Sequence, residues 1–156
     1  MVNVDKRLTL GQAIPKIKFL QEKKRNAELH KNEDAKNYFT CNDTSINNLG
    51  FLEFTDVIYK ENNLQLDLNF NEVPYEIFVV NINKIQIISP NNKDKFTTIE
   101  NMKVDLRNEM KKTELHCVMM LSVPKTLSFQ NYITIKSELS KLESERTSLN
   151  KNEFIY

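Results

Sequence analysis

The stretch Asp43-Thr44-Ser45-Ile46-Asn47-Asn48-Leu49-Gly50-Phe51 combines residue types that suggest a ligand as well as a fold. A carboxylate, hydroxyls and amides crowd into a polar turn ahead of strand-like sequence. Such an acceptor-rich loop can present side chains and turn backbone to a small polar molecule. The same residues also suit a local Asx or Ser/Thr turn, which satisfies only nearby backbone groups. Upstream, Lys16, Lys18, Lys23, Lys24 and Arg25 stand against Glu22 alone. That basic run is either a solvated helix face or a place for an anion.

Other reactive side chains form weaker patterns. His30 lies near Glu33 and His116 beside Cys117, but neither pair has a third ligand at a recognisable metal spacing. Cys117 falls in the middle of an apolar run, where a packed thiol is inert. Cys41 and Cys117 are too few for a disulfide framework or a zinc quartet, and both are expected to be reduced core thiols. The chain lacks a glycine-rich phosphate loop and a Gly-x-Ser-x-Gly elbow, so no enzyme, no cofactor and no metal site is expected.

The elements that must position these residues belong to one domain of 156 residues, with 40% apolar and 28% charged side chains. A net charge of +1 gives no overall field for nucleic acid or an acidic membrane, so nucleic acid is not an expected partner. The first residues, Met1 to Arg7, lack a signal-peptide core, and no apolar run approaches the roughly 18 residues of a membrane span. A cytoplasmic protein without a membrane span is the expectation.

Glycine occurs only at Gly11 and Gly50, so asparagine must hold several turns, at Asn47-Asn48, Asn62-Asn63 and Asn91-Asn92. Ile14 precedes a proline and should be extended, which starts a first helix near Pro15 and carries it to about Arg25. A polar connection then leads to a strand at Asn37 to Cys41. From Gly50 the apolar period is two. Leu64, Leu66, Leu68 and Phe70 alternate with polar residues as the core side of a hairpin, and a turn at Asn71-Glu72-Val73-Pro74 leads into Tyr75–Ile82 and Ile85–Ile88. Residues 93–112 fit a helix or an insertion, and Leu115–Val123 a buried strand. After Ser128, apolar residues from Tyr132 to Leu149 recur in steps of three and four, predicting a C-terminal helix over about 128–150. Short strands joined by tight polar turns indicate a mainly β fold, a small antiparallel barrel with its core at about 26–123.

This order of elements, with Asp43 and Ser45 on an Asp-x-Ser turn and Asn48 where glycine is usual, resembles the PilZ domain over roughly residues 20–149. PilZ domains are bacterial β-barrels, and their better-known members bind cyclic di-GMP. The resemblance implies a non-enzymatic regulatory module for motility, adhesion or secretion. It is either a cyclic di-GMP receptor or a degenerate homologue acting through protein contacts. The family's Arg-x-x-x-Arg segment would fall on Gln21 and Arg25, leaving one arginine missing unless Lys23 or Lys24 substitutes. The implied ligand-binding residues are therefore Gln21, Lys24, Arg25, Asp43, Ser45 and Asn48. Arginine could fork onto a phosphate or stack on guanine, Asp43 could accept from guanine N–H groups, and Ser45 could bond the base edge or a phosphate. Asn48 can hold the turn, although its side chain takes up space where glycine has none.

A different class of function is also legible. The C-terminal helix carries an apolar seam of about two and a half heptads flanked by Lys136, Glu138, Lys141, Glu143 and Glu145. A structural or adaptor protein could assemble through it, with itself or with a partner helix. The competing use of that seam is packing on the sheet.

Overall fold

The computed structural model describes residues 5, 7–26, 36–43, 48–61, 68–91 and 93–156, and leaves the side chains of 39–43 and 48–52 outside that description. In chain order the elements are α1 (Leu10–Arg25), β1 (Tyr38–Asp43), β2 (Asn48–Glu53), β3 (Ile58–Lys60), β4 (Glu72–Asn81), β5 (Lys84–Ile88), β6 (Asp94–Thr97), α2 (Ile99–Met110), β7 (His116–Val123), α3 (Phe129–Ser140), β8 (Thr147–Leu149) and β9 (Asn152–Ile155). Strand and helix content are roughly equal among the described residues, so the fold is mixed rather than mainly β, with α1 first in the chain and α3 followed by β8 and β9. β1 and β2 make a separate hairpin, and the other seven strands form one sheet in the order β3-β9-β7-β4-β5-β6, with β8 also on β7.

The sheet is mixed rather than purely antiparallel. β4, β5 and β6 form an antiparallel meander, whereas β7 lies parallel to β4, β8 and β9, and β3 lies parallel to β9. β3 and β6 are the two ends of the hydrogen-bonded path, and no pairing between them closes a barrel among the described residues. Parallel neighbours need crossovers, and helices supply them. α2 carries the chain from β6 to β7, and α3 carries it from β7 to β8 and β9. β7 is buried along nearly its whole length, the pattern of a central parallel strand covered on both faces. β8 and β9 together act as one bent strand along the edge of β7, with Asn150 N–H donating to the Met119 carbonyl (2.8 Å) where the two meet.

One face of the sheet carries the core. Tyr75, Ile77, Val79, Ile85, Ile87, Met119 and Leu121 point into it. α1 adds Leu10, Ala13, Ile14 and Ile17, α2 adds Met102, Leu106 and Met110, and α3 adds Phe129, Tyr132, Ile135 and Leu139. In α2, Ile99 joins these residues to give apolar spacing of three and four, the stripe a helix must bury. Thr98 stands at its N-cap, with Glu100 in the first turn, where a carboxylate complements the helix dipole. Asp105 fastens the helix to the edge of the sheet through Lys95 (2.6 Å) and the Thr97 hydroxyl (2.6 Å).

Several sequence expectations are corrected. α1 begins at Leu10 rather than near Pro15, because the Gln12 side chain accepts from the Thr9 N–H (3.0 Å) and caps the helix; Ile14 is helical despite the proline that follows. α3 ends at Ser140, and Thr147–Leu149 and Asn152–Ile155 are strands where the C-terminal helix was expected to run on to about 150. Leu142 and Leu149 prolong the helical spacing in sequence, but Leu149 lies in β8. Val73 and Pro74 belong to β4 rather than to a turn. Pro74 is tolerated there because β4 pairs with β5 only from Glu76 onward, leaving β7 as its sole neighbour at that position among the described residues. Phe70, read as core, is 93% exposed. The expected turn at Asn62-Asn63 and the residues Leu64 and Leu66 lie outside the described residues.

Candidate functional site

Each residue of the sequence-derived site has a distinct place. Gln21 is buried on α1, and its Nε2 donates to the carbonyls of Phe54 (3.1 Å) and Val57 (3.0 Å). Both amide hydrogens are thereby used to clamp the turn that enters β3, which makes Gln21 part of the scaffold. Lys24 is half-buried in the last turn of the same helix, and Arg25 is exposed at its end. With Lys18, Gln21, Glu22 and Val57–Tyr59, Arg25 lines a notch of about 60 Å³. That volume is well below the roughly 300–1,000 Å³ of pockets that hold drug-sized ligands. Asp43 and Asn48 are brought opposite one another as the last rung of the β1–β2 hairpin, and Ser45 lies outside the described residues.

The cysteine and histidine patterns resolve structurally. His116 and Cys117 are consecutive in a strand and so face opposite sides of the sheet. His116 shares a 2.9 Å hydrogen bond with the Ser148 hydroxyl, while the Cys117 thiol is buried in the core. Burial pushes that thiol up, with Arg146 pulling partly the other way, which disfavours the nucleophilic thiolate. His30 and Glu33 lie outside the described residues, as does the side chain of Cys41.

Two features escaped the sequence. The first is a chain of polar groups inside the core. Tyr132 donates to Glu153 Oε2 (2.5 Å), and Lys136, one turn further along α3, bonds Glu153 Oε1. The single Tyr132 hydrogen is committed to the carboxylate, so Tyr59 must be the donor in its 3.3 Å contact with the Tyr132 oxygen. The Glu153 side chain has no exposure and that of Lys136 only 8%. Burial pushes the Tyr59 and Tyr132 hydroxyls well above the ordinary phenol range, and the Glu153 charge adds to both shifts. The visible signals were a lone glutamate in the apolar β9 and a lysine four residues from Tyr132 on the buried stripe of α3.

The second feature is a cleft of about 540 Å³ where α2 and α3 end, beside the start of β7. Arg107, Lys111, Lys141 and Arg146 line it together with Glu114 and Glu143, above a floor that includes Met110, Leu115 and Leu142. Glu114 neutralises Arg146 at 2.7 Å. Periodicity could not reveal this site, because its residues come from two stretches, 107–117 and 141–147, that are far apart in sequence.

The side of the sheet away from the helices has its own character. Alternation puts Phe78, Val80, Gln86, Ile88 and Phe96 on that face, with Phe78, Gln86 and Phe96 in one cross-strand row. Tyr156 stacks on Phe78 with ring centroids 4.6 Å apart, and Lys84 sits over the Phe96 ring at 4.9 Å. Phe96 is 58% exposed and Val80 41%. No described helix covers this part of the sheet.

No family model matches the chain, and no curated protein or solved structure is similar enough to it to indicate common ancestry. No helix among the described residues is long and apolar enough to cross a membrane.

Proposed function

We propose that the protein is a non-enzymatic regulatory module that works through protein contacts, with the β4–β5–β6 face as its docking surface. The observation that carries this reading is the row of Phe78 and Phe96 beside Val80 and the stacked Tyr156, opposite the helix-covered face. Exposed surface of this kind, rich in aromatic residues, with Gln86 between the two phenylalanines and polar residues such as Lys84 and Asp94 at its rim, is a feature of interaction sites. The partner is a protein that presents an apolar patch of its own. The seam of α3, the other surface considered for assembly, already packs Phe129, Tyr132, Ile135 and Leu139 into the core, so pairing through it would require unpacking the domain.

A photo-crosslinking residue in place of Phe96 tests this in cells. It should trap one discrete protein species, and adding Val80→Asp should abolish the product while the far-UV spectrum stays unchanged. Equal trapping from a control position at Lys112 would refute the surface. A second reading keeps the implied PilZ-like ligand, cyclic di-GMP, at Arg25, Asp43 and Ser45, and is favoured by the exposed guanidinium at the end of α1. Calorimetric titration of the wild type and of Arg25→Ala tests that reading.

A further inference from the structure

We propose that the cleft between the C-terminal ends of α2 and α3 is a binding site for a nucleotide-sized phosphate ester. Lys103, Arg107 and Lys111 follow one another at steps of four along α2, so they form a cationic stripe on one side of the helix. Like charges one turn apart repel, and stability alone gives no reason to place three in a row. Lys103 shares the Glu138 carboxylate with Lys141 of the opposite wall, at 3.2 Å from Lys103. Arg107 and Lys111 have no salt-bridge partner among the described residues. Cations beside a helix C-terminus do complement the dipole. That accounts for a residue at each helix end, but not for a second helix and the turn at Arg146 bringing further cations to the same cleft.

The excess charge is positive on a direct count. Arg107, Lys111, Lys141 and Arg146 line the cleft with Glu114 and Glu143, four cations against two carboxylates, which leaves two. The volume of about 540 Å³ suits a ligand of nucleotide size. The arrangement is divided as such a ligand requires. An arginine fork and a lysine point charge can take the phosphate oxygens, while Met110, Leu115 and Leu142 offer an apolar bed for a flat base. The Arg146–Glu114 pair sits at the rim, with the Glu114 side chain 92% exposed, so it can open without uncovering the core. None of the residues around Arg25 lines this cleft, so this proposal stands apart from the cyclic di-GMP reading.

The test is titration of the full chain with ADP, followed by amide chemical shifts and calorimetry, with inorganic pyrophosphate as the comparison ligand. Saturable binding of ADP, tighter than that of pyrophosphate, with shifts concentrated at 107–117 and 141–147, is expected. Arg107→Ala combined with Lys111→Ala should weaken it by at least about tenfold, the loss of one charge-assisted hydrogen bond. Thermal unfolding of that variant should be little changed, because relief of repulsion along α2 offsets the lost complement to the helix dipole. Equal affinity for pyrophosphate and ADP would overturn the assignment of a base-binding floor, and undiminished binding in the double variant would overturn the site.

Discussion

Lys136→Met is the most informative single change, because it removes a charge that the core cannot replace. Lys136 and Glu153 face each other with side-chain exposures of 8% and 0%, far below the level at which solvent screens an ion pair. Removing one partner of such a pair strands the other in a medium of low polarity, at a cost of about 3–5 kcal/mol. That is a large fraction of the roughly 5–15 kcal/mol that holds a typical domain together. For a chain of this size it corresponds to a fall in melting temperature of about 6–20 °C. Urea unfolding followed by circular dichroism should show a lowered midpoint with an unchanged slope. Glu153→Gln added to Lys136→Met neutralises the stranded carboxylate while leaving an acceptor for Tyr132, so the double variant should be more stable than Lys136→Met alone. A single variant within about 1 kcal/mol of wild type, or a double variant no better than the single, would show that the pair is not held in a dry environment.

The buried phenols give a second test at the other end of the pH scale. Burial and the Glu153 charge raise Tyr59 and Tyr132 above the ordinary value of 10.0, so the unfolded chain releases these protons first. Their contribution is therefore complete below that value and is lost as pH rises past it, by about 1.4 kcal/mol per pH unit for each phenol. Tyr132→Phe should lower the alkaline slope of the urea-derived stability by one proton's worth, about 1.4 kcal/mol per pH unit, and an unaltered slope would contradict the network. Gln21→Leu and Arg25→Ala separate scaffold from ligand at the end of α1. Gln21→Leu leaves the Phe54 and Val57 carbonyls short of a donor, costs about 1–3 kcal/mol and speeds amide exchange at 54–61. Arg25→Ala should change stability by less than about 0.5 kcal/mol. If the cyclic di-GMP reading holds, it removes calorimetric binding of that nucleotide, and retained binding would exclude Arg25 from the site.

The legible parts of the fold were those in which local pattern and tertiary burial agree. β5 and β7 announced themselves by composition, and α2 was one of two readings of residues 93–112 because Ile99, Met102, Leu106 and Met110 recur at helical spacing. The direction of pairing was not legible. Nothing local distinguishes a strand returning through a tight turn from one returning through a helix, and the parallel placement of β7 on β4 depends on α2 being a crossover. The end of α3 was obscured because Leu142 and Leu149 extend a period of three and four by coincidence while the chain has already turned back along β7. At the proposed ligand site, the sequence singled out Asp43 and Asn48, and the hairpin sets them opposite each other. It could not show that Gln21 is occupied with main-chain carbonyls 33 and 36 residues away. The basic cleft was hidden for a related reason, since Arg107, Lys141 and Arg146 meet only once α2 and α3 have been laid on the same sheet.

β3 shows why polar groups are kept inside this core. It is a three-residue edge strand joined to β9 by a short parallel ladder, too little on its own to fix position or register. Tyr59 and Glu153 are partners across that ladder, and both belong to the hydrogen-bonded chain anchored on α3 through Tyr132 and Lys136. A shift by one residue would turn Tyr59 out of the core and leave the network without its outer donor, while Gln21 would lose the carbonyls it grips just before the strand. Hydrophobic replacements could match the network in stability, but they would accept a slipped strand almost as readily. The buried polar chain therefore acts mainly on specificity. It favours one position of β3 on β9.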